Sequence, residues 1–352
     1  MIDAGDISWG VGCWQTHILG DLVAEVEAVE KARFDHLWYG NEKLHADMWL
    51  GLATAALHSD RVRLGTFVVD PYSMHPAMTA SMIATLDHLS GGRAVLLMGA
   101  GGSGLRELGL ERQRPLGAVE AAVAMIRELL AGRSVVRQGP FFASDAQLHF
   151  PARSDLPIWI ATRAERMLEL AGRIADGVMI GTIARSEDLA AAIARVRLGA
   201  AASGRCLAEL TLCARVDVVV HEDRAAARDA LRSFVAGVLS ASYPDRGFVE
   251  RAGLTLPEAL EEVCRTKDLR LAWGSAHLVP DEVVDAFTWA GTSADVAERI
   301  AAAIDVGIGC VTVVFHRAAG PPASQLLDFA GSVIPRVHAL MGSDAPMRSA
   351  GG

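Results

Sequence analysis

Residues 61–110 read RVRLGTFVVDPYSMHPAMTASMIATLDHLSGGRAVLLMGAGGSGLRELGL. The stretch opens with an apolar run, Val62 to Val69. A helical segment follows, opened by His75-Pro76 and closed by Ser90-Gly91-Gly92, the glycine after a helix end being a C-cap signal. A second apolar run, Ala94 to Met98, leads into the glycine-rich loop MGAGGSG. Short apolar runs without polar alternation mark strands buried on both faces, as in a parallel sheet. The stretch is therefore a strand–helix–strand unit with a glycine loop at the second strand's end.

Working outward, the same unit recurs. Further strands are expected at Ile7 to Cys13, across DHLWYG to Gly40, at Pro157 to Ala161, Val178 to Ile180, Leu210 to Val220 and Cys310 to Phe315. Helices are expected between them. Asp21, Asp47, Ser186, Asp223 and Thr292 or Ser293 supply N-cap signals, and Pro115 starts an amphipathic helix closed by Gly132. Ser134 to Phe150 reads as a small hairpin around Gln138-Gly139-Pro140. Ser242 to Asp285 breaks the rhythm with Pro and Gly around one helix, Pro257 to Cys264, and reads as an insertion. A last helix is expected from Ser324 to Leu340, and a disordered tail over 341–352. Eight strands alternating with helices predict an α/β fold, a (β/α)8 TIM barrel with an insertion before the last strand, one domain over 1–340. A doubly wound open sheet gives the same alternation, but the count of eight and the unit length favour the barrel.

Composition agrees. The 352 residues are 51% hydrophobic and 21% charged, enough for a large core. The formal charge of −9 comes without a basic stripe, which argues against nucleic acid as a partner. Five cysteines without a CxxC argue against a disulfide scaffold or a thiolate zinc site. No apolar run reaches membrane-spanning length and the N-terminus lacks a leader pattern, so a cytoplasmic protein off the membrane is expected.

Barrel sites lie at the C-terminal strand ends. After the second strand come Asn41, Glu42, Lys43 and His45, a carboxylate and an imidazole within one loop that suit acid/base work or a plain solvated turn. After the third, FVVDPYSMHP holds the backbone extended, because each proline restricts the residue before it. After the fourth, the loop matches neither dinucleotide nor P-loop spacing, but its glycines permit close backbone approach to a ligand. After the fifth, Thr162 is positioned to cap a helix with Arg163 in its first turn. A cation there opposes the helix dipole unless an anion sits at that end. Gly181 and Thr182 follow the sixth strand. His17, His58, His88, His221, His277, His316 and His338 form no metal-binding spacing and read as structural or surface residues, so no metal is expected.

The runs RVRLGT, DPYSMHPAMTASMIATLDHLSGGRA and GAGGSGLRELGLERQRP resemble the bacterial-luciferase-like superfamily, and within it the methylenetetrahydromethanopterin reductase-like branch. FDHLWYGNE, LPIWIATRAERMLELAGRIADGVMIGT and LVPDEVVDAFTWAGTSADVAERI extend the likeness across most of residues 1–340. The resemblance implies a barrel with an insertion and a flavin-type cofactor, coenzyme F420 or FMN. It implies a bulge with a non-prolyl cis peptide at Phe67-Val68 backing the ring, and Gly99, Ala100, Gly101 and Gly102 beside the ring or its ribityl chain. Thr162, Arg163, Ala164, Gly181 and Thr182 would hold the phosphate. Relatives often carry Asp-His or Glu-His where this chain has Asn41-Glu42, which leaves Glu42 for proton exchange, Asn41 at the ring's carbonyl edge and His45 as the second acid/base group. Several deazaflavin enzymes place an acid in the glycine loop where this chain has Gly104.

The expected activity is an F420-dependent oxidoreductase passing a hydride to or from a small organic substrate, at a CH-NH, CH-CH or CH-OH group. An FMN-dependent luciferase-like monooxygenase and a catalytically silent flavin-binding protein are the alternatives. Apolar helices and the resemblance together suggest a homodimer.

Overall fold

The computed structural model describes residues 4–14, 20–102 and 104–342; His17 and the tail from 343 lie outside them. The strands are β1 Ser8–Cys13, β2 His36–Gly40, β3 Arg63–Phe67, β4 Ala94–Met98, β5 Val135–Arg137, β6 Ala143–Ala146, β7 Ile158–Thr162, β8 Gly177–Gly181, β9 Thr211–Val220, β10 Thr288–Gly291 and β11 Cys310–Phe315. Nine of them form one sheet in the order β10-β9-β11-β1-β2-β3-β4-β7-β8, and β9 also pairs with β8. Eight strands thus make the α/β TIM barrel that the repeat predicts. β5 and β6 are the expected antiparallel hairpin, with Gly139 at φ 120° in its turn.

The described residues fall into two compact units. The first comprises Gly10–Met179 and Ala194–Thr211. Every residue of HLWYG in β2 and of AVLLM in β4 is buried, which is why these runs are apolar throughout. Trp38 and Gly65 are register partners on β2 and β3. A β-carbon at Gly65 would overlap the Trp38 ring, so the glycine is what makes room for the indole. Gly177 does the same for Trp159, whose ring centre lies 5.1 Å from that of Trp38. Each tryptophan removes about 200 Å² from water, an upper bound of ~5 kcal/mol at roughly 25 cal/mol/Å². Gly172 and Gly199 lie where helices Glu165–Ile174 and Ser186–Ala202 meet, each with a backbone carbonyl in the space its Cβ would take.

The second unit comprises the described residues of Met1–Trp9, Ile180–Ile193 and Leu212–Gly352. Its core gathers Leu231, Val235 and Leu239 of helix Arg224–Ser242 with Leu260, Val283 and Phe287. Here the structure corrects the sequence. The segment expected to hold one helix holds Gly247–Arg251, Glu258–Thr266, Leu269–Gly274 and Asp281–Phe287. Pro257, expected to begin the one helix, is the N-cap of Glu258–Thr266, and Pro280, which looks like a breaker in the sequence, is the N-cap of Asp281–Phe287, a place where a fixed φ and a missing N–H do no harm. β10 is also additional. Its four residues pair in parallel with Asp217–Val220 of β9. The single last helix is two, Pro322–Ser332 and Ile334–Leu340, separated at Val333 just before Pro335, which has no N–H to continue the ladder.

Thr292 is the N-cap of helix Ser293–Asp305. Its hydroxyl accepts from the Asp295 N–H at 3.3 Å, and the Asp295 carboxylate accepts from the Thr292 N–H at 2.9 Å. Thr292→Ala is expected to lower stability by about 1 kcal/mol, read as a drop in the urea midpoint. An unchanged midpoint would show that the reciprocal cap contributes nothing.

Candidate active site

The first unit assembles the loops after β2, β3 and β4. Asn41 follows β2 directly, and its N–H donates to the Phe67 carbonyl at 2.8 Å, extending the β2–β3 ladder by one rung. Its side-chain Nδ2 donates to the Val68 carbonyl at 2.9 Å. The Phe67-Val68 peptide is cis, as the resemblance implies. β3 ends at Phe67, and pairing resumes two residues later where Val69 bridges Met98. The strand expected to run unbroken to Val69 is therefore interrupted at Val68. Trp14 lies beside Phe67, ring centres 5.7 Å apart. Trp14, Phe67 and Val68 are half-buried and together present an apolar surface.

Gly99 closes that surface. A β-carbon there would lie 3.0 Å from Val68 Cγ2 and 3.6 Å from the Ala161 carbonyl. At Gly101, φ is +75° and a β-carbon would come within 2.8 Å of Leu105 Cδ1 and 3.3 Å of Asp70 Cβ. Among the described residues other than its chain neighbours, nothing lies within 4 Å of a β-carbon at Gly102. The loop therefore offers bare backbone beside an apolar shelf, a shape that accepts a flat ring carrying polar edges.

Glu42 is half-buried, and its carbonyl accepts from the His45 N–H at 3.3 Å. His45 itself is exposed. Arg163 is half-buried, but the expectation that Thr162 caps a helix with Arg163 in its first turn is corrected. Thr162 is the last residue of β7, its hydroxyl accepts from the Ala164 N–H at 3.0 Å, and Ala164 is the N-cap of Glu165–Ile174. The local hydroxyl turn delays the helix, leaving Arg163 outside it.

One pairing between these strand ends escapes sequence reasoning. Lys43 Nζ lies 2.7 Å from Asp70 Oδ2, with the side chains 10% and 1% exposed. Nζ also donates to the Asn41 carbonyl at 3.4 Å. Asp70 accepts further from the N–H groups of Tyr72 and Ser73, at 2.9 and 2.8 Å, and from the Ser73 hydroxyl at 2.9 Å. Burial pushes the Asp70 carboxyl up, but the bond and charge of Lys43, with the Ser73 donors, hold it below the usual carboxylate range. A carboxyl lowered by folding adds stability above its unfolded value and loses that contribution as pH falls through the folded one. Stability is thus expected to decline below about pH 4. Thermal midpoints from pH 7 to 2 should show a shallower acid decline in Asp70→Asn than in the parent. Equal slopes would show that Asp70 does not contribute.

The second unit holds Gly181 and Thr182 beside a buried polar cluster on β9 and β11. Arg215 donates from one terminal nitrogen to Asp217 Oδ2 at 2.6 Å and to the Thr182 hydroxyl at 3.3 Å, and from the other to Asp217 Oδ1 at 3.2 Å. His316 Nε2 lies 2.8 Å from Asp217 Oδ1. The Arg215 guanidinium stands 5.7 Å from the centre of the Phe234 ring, which packs edge-on to His316 at 5.0 Å. Asp217 is fully buried and Arg215 is 6% exposed. His316, which its lack of metal spacing marks as structural or surface, is a member of a charge network. Arg215 and Asp217 stand two residues apart in LCARVDVVV, on one face of β9.

The profile of the luciferase-like monooxygenase family matches residues 10–309. A 5,10-methylenetetrahydromethanopterin reductase of Archaeoglobus fulgidus is 33% identical over 323 residues, 90% of this chain and 96% of that one. A phthiodiolone/phenolphthiodiolone dimycocerosates ketoreductase of Mycobacterium tuberculosis is 29% identical over 293 residues, 80% of this chain and 76% of that one. The solved coenzyme F420 dependent tetrahydromethanopterin reductase from Methanopyrus kandleri superposes with a TM-score of 0.83 at 25% identity, covering 94% of this chain and 99% of that one.

Proposed function

Since the chain belongs to the luciferase-like monooxygenase family, we propose that it is an oxidoreductase passing a hydride between coenzyme F420 and a small organic substrate. The observation that carries this reading is the shelf of Trp14, Phe67 and Val68, held by Asn41 and bounded by the bare backbone at Gly99. It fits a flat ring whose one side must rest on apolar atoms. The name of the Methanopyrus kandleri structure, at 25% identity, favours the deazaflavin over FMN.

When bound, the deazaflavin supplies the hydride chemistry, and the protein supplies position and exclusion of water. In this reading Phe67 and Val68 back the ring, and Asn41 fixes the Val68 carbonyl so that the shelf keeps its shape. Gly99, Ala100, Gly101 and Gly102 let the backbone approach the ring or its chain. Thr162, Arg163 and Ala164 take the phosphate, with the Arg163 guanidinium as counter-charge. Glu42, half-buried in the loop after β2, exchanges the proton; His45, exposed in the same loop, is the second group for that role. The ketoreductase and pterin reductase relatives act on different compounds by name, so the substrate class is left at a small organic molecule.

The test is a spectrum of the purified protein, followed by titration with F420 and with FMN. Saturable quenching of F420 fluorescence with no response to FMN is the expected result. A yellow protein that retains FMN and ignores F420 would instead establish the FMN-dependent monooxygenase reading.

A further inference from the structure

Lys43 and Asp70 are a near-completely buried ion pair at the meeting point of three strand-end loops. Lys43 touches Asn41, which holds the Val68 carbonyl, and its stem lies against Gly104. A β-carbon at Gly104 would overlap Lys43 Cβ and stand 2.9 Å from its Cγ. Asp70 in turn lies under Gly101, 3.3 Å from where that residue's β-carbon would be. Lys43 thus meets Asn41 and Gly104, and Asp70, two residues after Val68, lies beside Gly101, so the pair borders both the shelf and the glycine loop. At Gly104, where several deazaflavin enzymes place an acid, this chain leaves no room for one. A carboxylate reaches the region as Asp70, and it arrives already paired.

Charge matters here for a general reason. A hydride is two electrons with one proton, so a ring that accepts one gains a unit of negative charge. In a water-poor site neighbouring charges act on that difference far more strongly than in water. Lys43 favours the reduced ring and Asp70 opposes it; as a pair they nearly cancel. Nζ carries three donors, of which Asp70 and the Asn41 carbonyl engage two, leaving one N–H for a ligand oxygen.

Resting on the cofactor reading above, we propose that the Lys43–Asp70 pair sets which redox state of the ring-shaped cofactor this wall holds more tightly, with Lys43 as a direct donor to a cofactor oxygen.

The experiment measures dissociation constants of the full-length protein for oxidised and for chemically reduced F420, by fluorescence and by dye-linked potentiometry. Lys43→Met, which leaves Asp70 anionic, is expected to weaken reduced F420 about tenfold relative to oxidised, a fall of about 30 mV for a two-electron couple. Asp70→Asn, which leaves Lys43 cationic, is expected to move the ratio the opposite way. Lys43→Arg should keep it within about threefold of the parent, less than the factor of ten that corresponds to about 1.4 kcal/mol. Opposite shifts are the diagnostic, because both substitutions break the same ion pair and a merely structural role would weaken both redox states alike. Equal ratios in all proteins, or shifts of the same sign in Lys43→Met and Asp70→Asn, would overturn the proposal while leaving the cofactor reading intact. A parent protein that binds F420 in neither state would overturn both.

Discussion

Asp217→Ala is expected to remove about 3–5 kcal/mol of stability, because it strands a buried guanidinium. Asp217 is fully buried and takes hydrogen bonds from both terminal nitrogens of Arg215 and from His316. Arg215 is itself 6% exposed and cannot regain water without opening the strand that carries it. The cost comes from the charge left behind more than from the hydrogen bonds removed. That distinction has its own test: Arg215→Met combined with Asp217→Leu should recover most of the loss, since apolar replacements of a buried pair are often neutral or stabilising by about 1–4 kcal/mol. Urea denaturation of the three proteins decides it. A loss under about 1 kcal/mol for Asp217→Ala, typical of exposed pairs, would mean that water reaches the cluster.

Gly104→Asp introduces the acid that several deazaflavin enzymes place in this loop and is expected to damage the protein. Two costs add. The residue sits at φ +75°, a left-handed conformation that costs most residues with a β-carbon about 1–2 kcal/mol, with Asp toward the lower end. Its side chain would also enter the space of the Lys43 stem, and overpacking costs about 1–3 kcal/mol. The sum is a loss of about 2–5 kcal/mol. Pushing Lys43 aside also disturbs Asn41 and the shelf it holds, so on the cofactor reading proposed above F420 affinity should fall at least tenfold, about 1.4 kcal/mol. Gly104→Ala meets the same conformation and the same crowding without the charge, so it should lose nearly as much. Thermal midpoints and F420 titration of both variants check the claim. A Gly104→Asp variant as stable as the parent, binding F420 equally, would show that Lys43 yields freely.

The barrel is legible wherever strands are continuous apolar runs. HLWYG, AVLLM and CVTVVF are all strands because a parallel strand covered on both faces has no polar side to show. TWAG escapes notice: four residues with two small ones carry no period. The segment from 242 to 287 misleads beyond its one legible helix, because Pro280 looks like an interruption when it is a beginning. In the site, the cis Phe67-Val68 step is legible through family resemblance. Lys43 and Asp70 are not, because an ion pair between different loops, 27 residues apart, leaves no mark of spacing. Arg215 and Asp217 do leave one, two charges at strand period inside an apolar run, and it is masked because the run as a whole so clearly spells a strand.

Trp38 and Gly65 face each other on one rung of the barrel, one of the largest side chains against none at all. What the fold specifies at that rung is a sum. The two positions share a single volume, and neither can be varied alone: a residue with a side chain at 65 has nowhere to go, and a smaller residue at 38 leaves a hole. A repacking that keeps this volume filled has to change both positions together, although they lie on separate strands.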